Sequence, residues 1–385
     1  MAQALSAEDG EITLTWSGTA LDTARIESEL VRLRRLAAGE SPAGEGFAIR
    51  TSLLNMVVHA DNRERARAAG QAIAGLAGHH PSRALIIITK PASAAPRIDA
   101  RLAAHCHTTP GLEQQVCCEE VTLTVRGPAA GHLHSIIIPL LVPDLPVYVW
   151  WTGPLPRERH ALQEMLETAD HFIVDSARFA SANGLLKLAQ LCEANPGCSI
   201  GDLNWERLEP WREMLVRQCE GTSLRRYLPD VRDVKIAFAS NRGAQASAQA
   251  FLLLGWLASR WGWDTAGAIR ADGDAMSLPQ DGGDISVEMR PRPYAGVEDG
   301  WLVSLSLRCP AGGGRDASIS VSRIGDPLHL VVHVQEPEGS LEDHALTEPC
   351  DEPGMLLKQL VAPRHNPEYA DALRLAVPLV EAARR

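Results

Sequence analysis

Residues 136–176 read IIIPLLVPDLPVYVWWTGPLPRERHALQEMLETADHFIVDS, and this stretch decides the fold. It holds two short apolar runs, VYVWW at 147–151 and HFIVD at 171–175, each bounded by turn residues and each too short to cross a membrane. Between them Leu162, Met165, Leu166 and Ala169 recur at the three- and four-residue spacing of a helix that covers one face of a sheet. Strand, helix, strand in that order predicts a βαβ unit, whose parallel strands are buried on both faces. Trp150 and Trp151 then point to opposite faces. The crevice beyond the strand ends, after Trp151 and Asp175, is where an open α/β sheet places a ligand or partner.

Working toward the N-terminus, residues 48–60 carry Leu53, Leu54, Met56, Val57 and Val58 and predict a strand. Asp61 or Asn62 caps a helix with Ala66, Ala69, Ile73 and Leu76 facing inward, and residues 84–89 form the next strand. This is a second βαβ unit. Ile26, Leu30, Leu33 and Leu36 make the apolar stripe of a helix over 22–38, residues 39–46 read as a loop, and residues 1–20 read as an edge strand or arm. Residues 98–107 and 116–126 alternate as strands, and a helix is expected to begin within 131–141.

Toward the C-terminus, residues 182–193 predict a helix ended by Asn195-Pro196-Gly197. Trp205, Leu208, Trp211, Leu215 and Cys219 line one side of a further helical segment, with Pro210 at the start of its main helix. Composition then shifts. A strand at 234–239 and a helix at 245–261 lead into strands at 285–290, 301–308, 318–323 and 328–335, the signature of an antiparallel meander. Residues 335–354 gather seven acids without Lys or Arg and read as an exposed acidic linker, followed by a closing helical segment. The fold class expected is α/β. A mostly parallel α/β sheet domain over 1–228 precedes an α+β domain with an antiparallel sheet over 229–385.

With 385 residues, 45% apolar and 22% charged, the chain reads as an ordinary globular protein with a sizeable core. A formal charge of −11 argues against nonspecific binding to nucleic acid or anionic lipid, so the partners expected are proteins or small molecules. The start MAQALSAEDGEITLTW has no basic segment followed by an apolar run, and Pro139, Pro143, Asp144 and Pro146 interrupt the longest apolar region. A cytoplasmic location with reduced thiols is expected for the eight cysteines.

No constellation reads as catalytic. His105-Cys106-His107 with Cys117-Cys118 offers metal-type ligands, but adjacent strand residues face opposite ways and the spacing fits no standard finger, so no metal is expected. The turn between Cys192 and Cys198 could bring two sulfurs within bridging reach as a redox pair, against the ordinary reading of two free thiols. Residues 281–284 and 311–314 are glycine-rich but lack the lysine and following helix of a phosphate loop, and read as hairpin turns. His132 and His134 have no nearby nucleophile, Ser176 lacks the glycine-flanked elbow of a hydrolase, and no cofactor is expected.

Five stretches carry a family resemblance: LLNMVV at 53–58, HPSR at 80–83, LLVPDLPVYVWWTGPLP at 140–156, ADHFIVDS at 169–176 and DLNWERLEPWREML at 202–215. In this order and spacing the chain resembles the OpcA proteins, the glucose-6-phosphate dehydrogenase assembly family. WLASR at 256–260 with Gly262-Trp263, and NPEYADAL at 366–373, extend the likeness more loosely. The resemblance implies a noncatalytic activator that binds glucose-6-phosphate dehydrogenase, helps its oligomer form and raises its activity in the oxidative pentose phosphate pathway. It offers Trp150, Trp151, Trp205, Arg207, Trp211 and Arg212 as partner-binding anchors, since tryptophan and arginine recur at interface hot spots; core packing is the competing role for each. Photosynthetic members are associated with redox control through cysteines, with no positions matched here. The alternative function is an α/β protein binding a sugar phosphate or nucleotide in the crevice after Trp151 and Asp175.

Overall fold

Residues 55–59 pair in parallel with residues 83–87 on one side and 147–151 on the other, and this three-strand centre organises the first half of the chain. The computed structural model describes residues 3–8, 11–37, 49–50, 52–108, 115–156, 160–221, 223–243, 246–270, 275–311, 315–348, 351–361 and 365–384. The loop expected at 39–46 lies outside them.

The chain starts with strands β1 (Gln3–Glu8) and β2 (Glu11–Gly18) and helix α1 (Thr23–Ala37). Strands β3 (Ile49–Arg50) and β4 (Leu54–Ala60), helix α2 (Arg63–Leu76) and strand β5 (Ser82–Lys90) follow. Asn62 begins α2 by accepting the Arg65 N–H through its side chain, as its cap position requires. The long strands β6 (Arg97–Thr108) and β7 (Gln115–Arg126) pair antiparallel. The helix expected near 131–141 is only one turn, α3 (Leu133–Ile137), between 3-10 turns, because Pro128 and Pro139 withhold the N–H groups a longer helix needs. Then come β8 (Val147–Trp151), α4 (His160–Thr168), β9 (His171–Val174), α5 (Asn183–Ala194) and β10 (Ser199–Asp202). Helices α6 (Leu203–Arg207) and α7 (Glu209–Gly221) precede β11 (Asp233–Ala239) and α8 (Ala248–Trp261). Strands β12 (Ile269–Arg270), β13 (Ala275–Leu278), β14 (Ile285–Arg292), β15 (Leu302–Pro310), β16 (Asp316–Arg323), β17 (His329–Glu336) and β18 (Gly339–Leu346) lead to α9 (Glu352–Val361) and α10 (Pro367–Arg384).

The chain divides into two compact units, each drawing on several segments. The first takes residues 1–175, 195–201 and 352–364, and the second takes 176–194, 202–351 and 365–385. Composition alone places one boundary near 228, whereas residues 176–194 and 202–228 group with the later strands.

In the first unit the sheet order is β1-β2-β6-β7-β5-β4-β8-β9-β10, with β3 beside β7. From β7 through β9 neighbours run parallel, and β1, β2 and β6 add an antiparallel edge. β4 comes first, β5 and β7 extend the sheet to one side, and β8 and β9 extend it to the other. This is the 3-2-1-4-5-6 order of dinucleotide-binding sheets, and its switch point lies between β4 and β8. Leu54 and Met56 to Val58 are buried with Leu85, Ile86 and Ile87, as strands covered on both faces demand. Arg83, interior to β5, gives its guanidinium to Glu119 at 2.7 Å, Glu27 at 3.0 Å and the Leu140 carbonyl at 2.8 Å. That is the physical content of HPSR: a buried charge held only because it is paired.

In the second unit the order is β12-β13-β14-β11-β15-β16-β17-β18. The expected meander is interrupted: β11 enters between β14 and β15 and runs parallel to β14. Val234, Ile236 and Phe238 explain this, since all three are buried and so apolar a strand belongs at the centre of a sheet. The acidic stretch is corrected too. Its middle is β18, paired antiparallel along its length with β17 and largely exposed, so Glu342 and Asp343 charge a sheet edge rather than a free linker. Ser247 caps α8 and Gly262, at φ 68°, ends it in the left-handed conformation. A Cβ at Gly255 would come within 2.1 Å of the Ala372 carbonyl, so glycine there lets α10 lie close on α8. No helix among the described residues is long and apolar enough to cross a membrane.

Candidate functional site

The switch point is bounded by the last residues of β4 and β8. His59 and Trp151 are register partners there, so both side chains lie on one face, and their rings stack at 3.8 Å with planes 10° apart. The His59 Nε2 lies 3.1 Å from the Thr89 hydroxyl, while its Nδ1 is buried without a hydrogen-bond partner. Burial pushes the imidazole down to about 4, against the opposing pull of Asp61, and the ring is neutral at pH 7. The Thr152 hydroxyl donates to the His59 carbonyl at 3.0 Å, and the Trp151 indole N–H donates to the Pro154 carbonyl at 3.1 Å. The first bond ties the turn after β8 to the end of β4, and the second holds that turn against the Trp151 ring.

The turn from β4 into α2 completes the site. Asp61 pairs with Arg65 at 2.9 Å, and a Cβ on Gly153 would sit 2.9 Å from the Arg65 guanidinium. A dinucleotide site needs glycines in this turn, so that pyrophosphate can reach the free N–H groups of the helix start. Here the sequence is His59-Ala60-Asp61-Asn62-Arg63-Glu64-Arg65. Asn62 already occupies the Arg65 N–H at 2.9 Å, and Asp61 sets a carboxylate where a phosphate would approach. With Trp151 and Thr152 buried alongside, the residues present do not fit a dinucleotide.

The sequence-predicted residues take separate places. Trp150 is 2% exposed, beside Val58 and Ile173 in register, on the face opposite the Trp151 stack. In the second unit Trp205 and Trp211 are buried at 2% and 0%, so none of the four indoles presents an outer surface. Arg212 lies over the Trp205 ring at 3.6 Å and donates to the Trp205 carbonyl at 2.8 Å; burial brings its guanidinium down to about 10. It is half-buried. Arg207, buried, lies 5.5 Å from the Trp301 ring, and Arg323 rather than a predicted residue faces Trp211 at 5.4 Å. Asp175 is buried at the end of the first unit. Cys192 and Cys198 are not joined in a disulfide, and Cys198 is buried and pushed up to about 11. The side chains of His105, Cys106, His107 and Cys117 lie outside the described residues.

Sequence reasoning missed a buried polar network in the second unit. Asp202 accepts from the Ser176 and Asn204 backbone N–H groups, both at 2.9 Å, and from the Tyr369 hydroxyl at 3.3 Å. The Asn204 amide donates to the Ser176 hydroxyl at 2.9 Å and accepts from Gln249, which in turn accepts the Leu302 N–H. Trp205 and Tyr369 lie ring to ring at 5.6 Å. DLNWER, NPEYADAL and the serine of HFIVDS thus meet at one structural junction, and the signal was the Asp-x-Asn cap at the head of α6.

Fold and site together define an α/β protein on a dinucleotide-type sheet whose nucleotide crevice is filled by its own side chains. Family models described as glucose-6-phosphate dehydrogenase subunit N-terminal domain and C-terminal domain match residues 74–190 and 198–373. The chain belongs to the OpcA family of glucose-6-phosphate dehydrogenase assembly proteins. It is 34% identical over 168 residues to the OpcA protein of Synechocystis sp., named for the OxPP cycle, covering 43% of this chain and 34% of that one. It is 29% identical over 226 residues to the corresponding protein of Nostoc punctiforme, covering 57% and 47%. The chain therefore spans about a third to a half of the length of these relatives. Among solved structures, a variant of KijD10, a 3-ketoreductase from Actinomadura kijaniata, is 14% identical with a TM-score of 0.48, covering 86% of this chain and 97% of that one. An NAD binding oxidoreductase from Klebsiella pneumoniae is 11% identical with a TM-score of 0.46, covering 87% and 98%.

Proposed function

We propose that this chain is a noncatalytic assembly factor that binds glucose-6-phosphate dehydrogenase, promotes its oligomerisation and raises its activity in the oxidative pentose phosphate pathway. Family membership supports the partner. The observation that carries the noncatalytic part is the His59–Trp151 stack at 3.8 Å, which fills the crevice where a sheet of this order binds its nucleotide. The same stack disfavours a sugar phosphate or nucleotide bound after Trp151. The buried imidazole is neutral and so offers an anion no positive charge, and the nearby Arg65 guanidinium is already paired with Asp61.

The test mixes the chain with its cognate dehydrogenase, measures the native mass of the mixture, and follows NADP reduction with and without the chain. The expected result is a larger assembly, a faster dehydrogenase and no turnover by the chain alone. Turnover that scales with the chain's own concentration overturns the noncatalytic reading. Separate migration of the two proteins, with an unchanged rate, overturns the partner.

A further inference from the structure

Among the described residues the first unit lacks one helix that its strand order calls for. A right-handed crossover from β5 to the parallel β7 would lay a second helix beside α2 on the same face of the sheet. Instead the chain passes through β6, antiparallel to β7, and leaves that face open. The opening is a groove of about 720 Å³, walled by α2 and floored by β2, β6, β7 and the end of β5. Its volume lies within the range of small-molecule sites, about 300–1,000 Å³.

The groove carries three basic side chains over a floor of small residues and hydroxyls. Arg63 and Arg67, one helical turn apart, line the α2 wall, and Arg101 rises from the floor; all three are exposed. Among the described residues none of them has an acidic partner, in a chain whose 48 acids outnumber its 37 Lys and Arg. Two acids also line the groove. Asp99 is already matched by Arg97 at 2.6 Å and Arg126 at 3.3 Å. Glu120 accepts from the Thr122 hydroxyl at 3.1 Å and lies against Gly70, where a Cβ would meet its carboxylate at 3.2 Å. The three arginines against Glu120 leave the groove positive. Ser17, Thr122 and Thr124 add hydroxyls to the floor.

We propose that this groove binds a small polyanion that carries phosphate or carboxylate groups and hydroxyls, held by Arg63, Arg67 and Arg101. Guanidinium forks match both kinds of oxyanion, and the floor hydroxyls pair with those of the ligand. The proposal does not depend on the partner protein, because it is tested on this chain alone.

Calorimetric titration of the full chain with glucose 6-phosphate, pyrophosphate and citrate, with free glucose as the neutral control, decides it. At least one anion is expected to bind with a Kd of about 1 mM or tighter, and glucose to give no heat. Preference for the phosphates or for citrate tells which oxyanion the groove serves. Arg67→Glu and Arg101→Glu, both at exposed positions, are expected to keep the melting transition and to weaken binding by about tenfold or more; Arg67→Gln should weaken it less. No binding by any of the three anions overturns the proposal, as does equal binding by both charge reversals. Loss of dehydrogenase binding in the reversals, with no anion bound, makes the groove a protein contact and overturns it as well.

Discussion

The imidazole of His59 lies 3.8 Å from the indole of Trp151, nearly parallel to it, at the point where the strand order of the first unit reverses. A ring pair in that position serves as core. Trp151→Ala is therefore expected to cost roughly 3–5 kcal/mol of stability through the cavity it leaves. Denaturant unfolding checks this. A loss of dehydrogenase binding at unchanged stability would instead make Trp151 an interface anchor.

The stack also makes stability depend on pH. A free imidazole takes its proton near 6.5, and buried His59 only near 4. Between these values the unfolded chain binds a proton that the folded chain does not, so stability rises with pH across the window and is lost as pH falls through it. At pH 5 the loss from this one group is about 2 kcal/mol. Melting curves from pH 7 to pH 5 should show it, and His59→Gln should flatten that part of the profile. An identical slope in the variant would locate the dependence elsewhere.

The Arg83–Glu119 pair is buried on both sides. Removing Glu119 leaves the buried guanidinium only Glu27 and the Leu140 carbonyl, so Glu119→Ala is expected to cost about 3 kcal/mol. Arg83→Met with Glu119→Leu should cost clearly less than the sum of the two single changes. An additive double-mutant cycle would show that the pair is not coupled.

Burial raises Cys198 to about 11 and Cys309 to about 12. Their thiolates are scarce at neutral pH, and iodoacetamide should label neither in the native chain while labelling both after unfolding. On the proposed function, Cys192→Ser and Cys198→Ser are likewise expected to leave the dehydrogenase rate equal under reducing and oxidising conditions. A redox response that disappears in either variant would reinstate the pair as a switch.

The parallel centre of the first unit was legible because its strands are apolar runs with a helical stripe between them. Asn62 as a cap was legible for the same local reason. The place of β11 was not, since the pattern of a strand fixes its faces but not its neighbours. Charge hid β18: Glu342 and Asp343 mark an edge strand as readily as a loop. The tryptophans read as anchors from their identity alone, while the structure gives Trp205 its place through Arg212, Tyr369 and the cap at Asp202. No local signal joins residues so far apart along the chain. The groove escaped notice for the opposite reason: Arg63, Arg67 and Arg101 look like ordinary surface charges until the missing crossover brings them together.

Helix α9 packs on α2, and its Gln359 meets His171 at 3.2 Å, although 188 positions separate that pair. On the ribosome the first unit thus cannot close until residue 361 has emerged, by which time every strand of the second has been synthesised. A nascent chain stopped at residue 228 would leave the outer side of α2 and the His171 ring waiting in water. The helix that finishes the first unit is made only after every strand of the second.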